Sequence, residues 1–146
     1  MQRSCHIMKV VIIMEMQYRL NQEKLLADHK LNKEIMIHCI ARLNKKINML
    51  YGKRIKRQAE IQRYQKIDNG EGYILYLQNE IDDCNREQDQ LIKKRQTILY
   101  VVMSAYRLSF EEVKIMLKQA DKEKFPTYKT IDNIVDMINS VDYSLL

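Results

Sequence analysis

Apolar residues recur along the middle of the chain at the 3.5-residue spacing of helices that pair along a seam. Met36, Ile40, Leu43, Ile47 and Leu50 are separated by steps of four, three, four and three, so they form one stripe on a helix. The same register meets Arg54 and Arg57, then regains apolar character at Ile61 and Tyr64. A second stripe begins at Ile74 and runs through Leu77, Ile81, Cys84, Gln88, Leu91, Arg95, Ile98, Val102 and Ala105. Between the two, Asp68-Asn69-Gly70-Glu71-Gly72 gathers residues that tolerate positive φ where one helix must stop and the chain reverse. The pattern predicts a helical hairpin with its turn at 68–72 and arms of roughly 30 residues, each about 45 Å long.

The texture changes after Arg107. Ser109-Phe110-Glu111-Glu112 has the spacing of a capping box, which starts a helix bearing Phe110, Val113, Met116 and Leu117 on one side. A loop from Asp121 to Pro126 leads to Thr127, a candidate N-cap, and to a second short helix with Ile131, Ile134, Val135 and Ile138 at helical spacing. Before the hairpin, Tyr18 to Lys33 carries Leu20, Leu25, Leu26 and Leu31 at irregular intervals that suit a helix, and the tail from Val141 has no clear pattern. The expected fold is all-α: a partly helical N-terminal segment (1–34), a long antiparallel coiled-coil hairpin (35–107) and a C-terminal helical pair (108–146).

Composition supports helix, since 146 residues include only 3 Gly and 1 Pro. So few breakers leave little scope for the turns of a β or alternating α/β fold. The net charge of +6 is unevenly placed. Between Arg42 and Lys66 the bases Arg42, Lys45, Lys46, Lys53, Arg54, Lys56, Arg57, Arg63 and Lys66 stand against one acid, Glu60, whereas the chain after Ser109 is acidic. Cys5, Cys39 and Cys84 are odd in number and widely spaced, which argues against a disulfide framework and for a reducing, cytoplasmic compartment. The run from Ile7 to Met14 is interrupted by Lys9 and is too short to span a bilayer. Neither secretion nor a membrane partner is expected, and Met8, Met14 and Met16 are alternative starts for translation.

The inventory points away from catalysis. Gly52, Gly70 and Gly72 do not form a phosphate loop, and His6, His29 and His38 fall in no zinc-binding spacing. Asp121 to Asp132 has the length of an EF-hand loop, but Phe125, Pro126 and Asp132 replace an oxygen ligand, the turn glycine and the bidentate glutamate. No catalytic residue, metal, cofactor or small-molecule substrate is expected.

Two sets of residues remain as candidate sites. Arg54, Arg57, Gln88 and Arg95 interrupt the seam, where polar residues fix register or dock a further helix. If the arms pair around the turn, Arg54 and Arg57 face the stretch holding Glu80, Asp82 and Asp83, while Gln88 and Arg95 fall opposite Leu50 and Leu43. Lys53, Arg54, Lys56, Arg57 and Arg63 form a basic stripe that reads either as the charged flank of a coiled coil or as a contact for anions or nucleic acid.

The junction Tyr106-Arg107-Leu108-Ser109-Phe110-Glu111-Glu112-Val113 resembles one in small phage-encoded transcriptional regulators, where a coiled-coil region precedes a helix-turn-helix. The resemblance covers the C-terminal half. It implies DNA binding with Lys129 to Asn139 in the place of the recognition helix. The expected function is thus a non-enzymatic scaffold or adaptor that binds another protein or itself, with a phage-type DNA-binding regulator as the alternative.

Overall fold

The computed structural model describes residues 9–10, 32–67 and 69–140. The expected helix at 18–33 falls almost wholly outside them, as do Cys5, the alternative starts at Met8, Met14 and Met16, and the tail from Val141. The described chain is all-α, with α1 (Lys33–Tyr64), α2 (Glu71–Tyr106), α3 (Phe110–Gln119), a 3₁₀ turn (Lys122–Lys124) and α4 (Tyr128–Asn139). α1 and α2 pack along each other as a helical hairpin.

Each boundary has a local cause. The Asn32 side chain accepts the Ile35 amide at 2.8 Å, supplying one of the hydrogen-bond partners that the first turn of α1 lacks. The first arm ends at Tyr64 and the second begins at Glu71, which leaves Gly72 inside α2. Positive φ occurs at Asn69 (70°) and at no glycine among the described residues. Gly70 serves the turn through its size, because a Cβ there would stand 2.8 Å from the Tyr64 carbonyl oxygen. α2 ends where Arg107 turns left-handed (φ 52°) and Leu108 donates to the Met103 carbonyl. At Ser109 both hydrogen bonds of the capping box form, at 3.1 and 3.3 Å. Thr127 caps α4 by accepting the Thr130 amide.

The core is concentrated at the open end of the hairpin. Met36, Ile40, Leu43, Ile98 and Val102 are at most 1% exposed, and Val113, Ile131, Ile134, Val135 and Ile138 join them in one cluster. The C-terminal helices therefore close the base of the hairpin and share its core. Towards the turn burial thins out: Leu77 is buried outside that cluster, and Ile61, Tyr64, Ile74 and Ile81 are half-buried. No helix among the described residues is long and apolar enough to cross a membrane.

Candidate functional site

At about 100° per residue, side chains flanking the seam of each arm fall on two opposite sides of the hairpin. Cross-arm contacts show which flanks belong together. On one side Arg57 bridges two carboxylates, with Nη1 3.0 Å from Glu60 Oε1 and Nε 2.6 Å from Glu80 Oε2, the second a charge contact without hydrogen-bond alignment. The Tyr73 hydroxyl donates to Glu60 at 3.2 Å and that of Tyr76 to Glu80 at 2.8 Å. The Tyr64 and Tyr73 rings lie 4.5 Å apart, with Tyr76 5.9 Å beyond. Lys46 and Glu87 make a looser pair at 3.9 Å. Nearer the base, Lys94 binds Asp132 of α4 at 2.7 Å and Arg42 lies over the Tyr128 ring.

The Arg57 cluster shifts the ionisation of its own members. The Tyr76 hydrogen bond, joined by the Arg57 charge, holds the Glu80 carboxyl below its usual range against the opposing effect of burial. Burial and the bond to Glu60 raise Tyr73, whereas the bond to Glu80 is the main cause for Tyr76. Burial opposes the charged form of Arg57, but Glu80 and Glu60 outweigh it and raise its pKa.

The opposite face differs in kind. Arg95 donates to Asn44 at 2.8 Å, Arg54 to Asn85 at 2.8 Å and to Gln88 at 3.4 Å, and Gln88 donates to the Ile47 carbonyl. Arg54, Gln88 and Arg95 are thus each met by an amide or a carbonyl, whereas Arg57 meets carboxylates. Gln88 and Arg95 find Ile47, Arg54 and Asn44 as partners, where simple pairing around the turn puts Leu50 and Leu43. Arg57 alone of the two seam arginines meets an acid of the expected stretch, since Asp83 is engaged by Arg86 of its own helix. Beyond Asn48, α1 presents Tyr51, Ile55, Gln58 and Gln62 on this side, and α2 presents Ile74, Gln78, Ile81 and Asn85. Asp82 and Asp89 share this side of α2, and the Arg54 guanidinium lies 5.2 Å from the centre of the Tyr51 ring, while Tyr51 and Ile55 are 51% and 46% exposed.

The basic stripe divides between these settings. Arg54 and Arg57 are half-buried in the cross-arm contacts, whereas Lys53, Lys56 and Arg63 are exposed and make no ion pair with another described residue. Tyr73, Tyr76 and Asn85 are not among the candidate residues of the sequence, and Glu60 stands there only as the acid of a basic arm, because the fold of the hairpin is what brings them beside the arginines. The heptad register, extended to the flanking positions, would have found them.

Comparison with protein-family models, curated proteins and solved structures finds no match.

No three His, Cys, Asp or Glu side chains converge among the described residues as a metal site requires. His38 is fixed by packing, its Nδ1 3.0 Å from the Glu34 carbonyl and its ring edge-on to Phe125. The 3₁₀ turn and the long connection from Ala120 to Thr127 separate α3 from α4 by more than the three or four residues usual in a helix-turn-helix. Asp132 and Asp136 lie on α4, and like-signed phosphates repel such carboxylates.

Proposed function

We propose that this protein is a non-enzymatic interaction module that binds another helical protein surface through the face of its hairpin that carries Tyr51 and Ile55. One observation carries the reading: Tyr51 and Ile55 are large apolar side chains left exposed on one side of the hairpin, just beyond Leu50, where the core cluster in α1 ends. Exposed apolar groups bordered by polar ones are typical of surfaces that become buried on association. The Arg54, Asn85 and Gln88 contacts fit a polar device that fixes register between arms and leaves the surrounding amides open to a partner.

Affinity capture with the full chain as bait tests the reading. A bound protein, whether a second copy or another chain, is expected to be lost from the Tyr51→Lys and Ile55→Lys variants while their helical circular dichroism is retained. Capture that is indifferent to both substitutions would overturn it. A nucleic-acid role is the lesser reading, favoured by the exposed charges of Lys53, Lys56 and Arg63. It requires affinity that falls steeply with salt and is abolished by reversing those charges.

A further inference from the structure

We propose that the cleft between α1 and the end of α3 binds a phosphorylated small molecule of nucleotide size. Tyr51 and Ile55 do not line this cleft, so the inference goes beyond the interaction reading and neither depends on the other.

The cleft has a volume of about 390 Å³, within the range of sites that take small ligands. α1 contributes Asn44, Lys45 and Asn48 to it, and the end of α3 with the 3₁₀ turn contributes Lys118 and Lys122. No carboxylate lines it. Lys45, Lys118 and Lys122 are exposed and form no ion pair with another described residue, although Lys46 beside Lys45 reaches Glu87, and Lys114, one turn before Lys118, reaches Glu111. Of the acids on either side of Lys122, Asp121 accepts the Glu123 amide, and Glu123 is exposed and lies outside the lining. Three like charges around one concavity repel one another, and an anion seated among them offsets that repulsion.

The two amides add donors. Arg95 can only donate, so its hydrogen bond of 2.8 Å takes the Asn44 oxygen and leaves the Asn44 NH2 group free to donate to a ligand. The lining thus offers ammonium and amide groups but no guanidinium. A planar carboxylate is matched best by the fork of an arginine, whereas the oxygens of a phosphate spread tetrahedrally and accept from several separate ammonium groups at once. Phosphate is the anion that fits. Leu117 and Phe125 supply apolar surface to the same cleft, and the Phe125 ring is held edge-on against His38 at 6.4 Å between centroids. A bare phosphate would leave that surface uncovered, so the ligand carries a ring or another apolar body as well.

Calorimetric titration of the full chain at low salt, without divalent cations, tests this with ATP, pyrophosphate and adenosine as probes. ATP is expected to bind one to one and more tightly than pyrophosphate, adenosine is expected not to bind, and affinity should fall as salt rises. Lys118→Gln/Lys122→Gln should weaken ATP binding at least about tenfold with helical circular dichroism unchanged, since charge-assisted hydrogen bonds are the strong ones. Lys53→Gln/Lys56→Gln, on the basic arm outside the cleft, should leave the affinity as it was. In nitrogen-edited NMR spectra the side-chain amides of Asn44 and Asn48 should shift on saturation. Absence of saturable binding at millimolar ATP overturns the inference, and so does an equal loss from the two double variants, which would mark a general attraction to basic protein. Adenosine binding as tightly as ATP overturns the phosphate assignment, and pyrophosphate doing so overturns the contact with Phe125.

Discussion

Arg57 on α1 reaches to within 2.6 Å of Glu80 on α2, and Glu80 in turn accepts the Tyr76 hydroxyl. The pair joins the arms where the apolar core is thin, so its charge state governs how firmly the far half of the hairpin stays closed. Glu80 has a folded pKa below its ordinary value. Its carboxylate therefore contributes fully above the ordinary value of about 4 and loses that contribution as pH falls through the lowered folded value. Thermal melts should show wild type above Glu80→Gln by a few degrees at neutral pH. The gap should close as the solution is acidified below about pH 4. A gap that persists undiminished at the acid end would show that the charge pair contributes nothing.

The two glycines near the reversal should respond in opposite senses. Gly70→Ala forces a methyl against the Tyr64 carbonyl and is expected to cost about 1–3 kcal/mol, the range for overpacking. Gly72→Ala has open space and helical backbone around it and should stabilise by about 0.4–1 kcal/mol. Denaturant titration of both variants measures the difference, and equal effects would contradict the assigned turn.

Leu43 and Leu77 are both fully buried, but only Leu43 belongs to the main cluster. Leu43→Ala should cost about 2–5 kcal/mol, with Leu77→Ala at the lower end of that range or beneath it. Native-state hydrogen exchange should find amides around Leu77 opening at lower free energy than those around Leu43. Uniform protection along both arms would argue against a graded hairpin.

Burial raises the Cys39 thiol to about 11. Roughly one part in a thousand is then ionised at pH 8, and the thiolate is the reactive form. Iodoacetamide should leave Cys39 unmodified in the folded protein and label it only in denaturant, as peptide mapping would show.

Much of this fold is legible in the sequence. The stripe from Met36 to Leu50 is buried as its spacing requires, and Ser109 with Glu112 forms the capping box that their separation implies. The turn is partly legible: Asn69 takes the positive φ that its residue type tolerates, whereas Gly70 does not and serves by its small size. The site was half visible. A register identifies Arg54 and Gln88 as odd residues in a seam, but their partners depend on the axial offset between arms, which no local pattern specifies.

The graded core also bears on how the chain folds. Contacts nearest the turn join residues close in sequence, as with Tyr73 and Glu60, 13 apart, while Arg54 and Asn85 are 31 apart and Arg95 and Asn44 are 51 apart. Apolar burial grows in the same direction. Contacts that close the smallest loops thus gain the least, and those that gain the most must first meet the entropy of the largest loops. A zipper started at the turn would stall part-way, so the transition state is expected to contain the distant base of the hairpin, with φ-values rising from Leu77 towards Ile98.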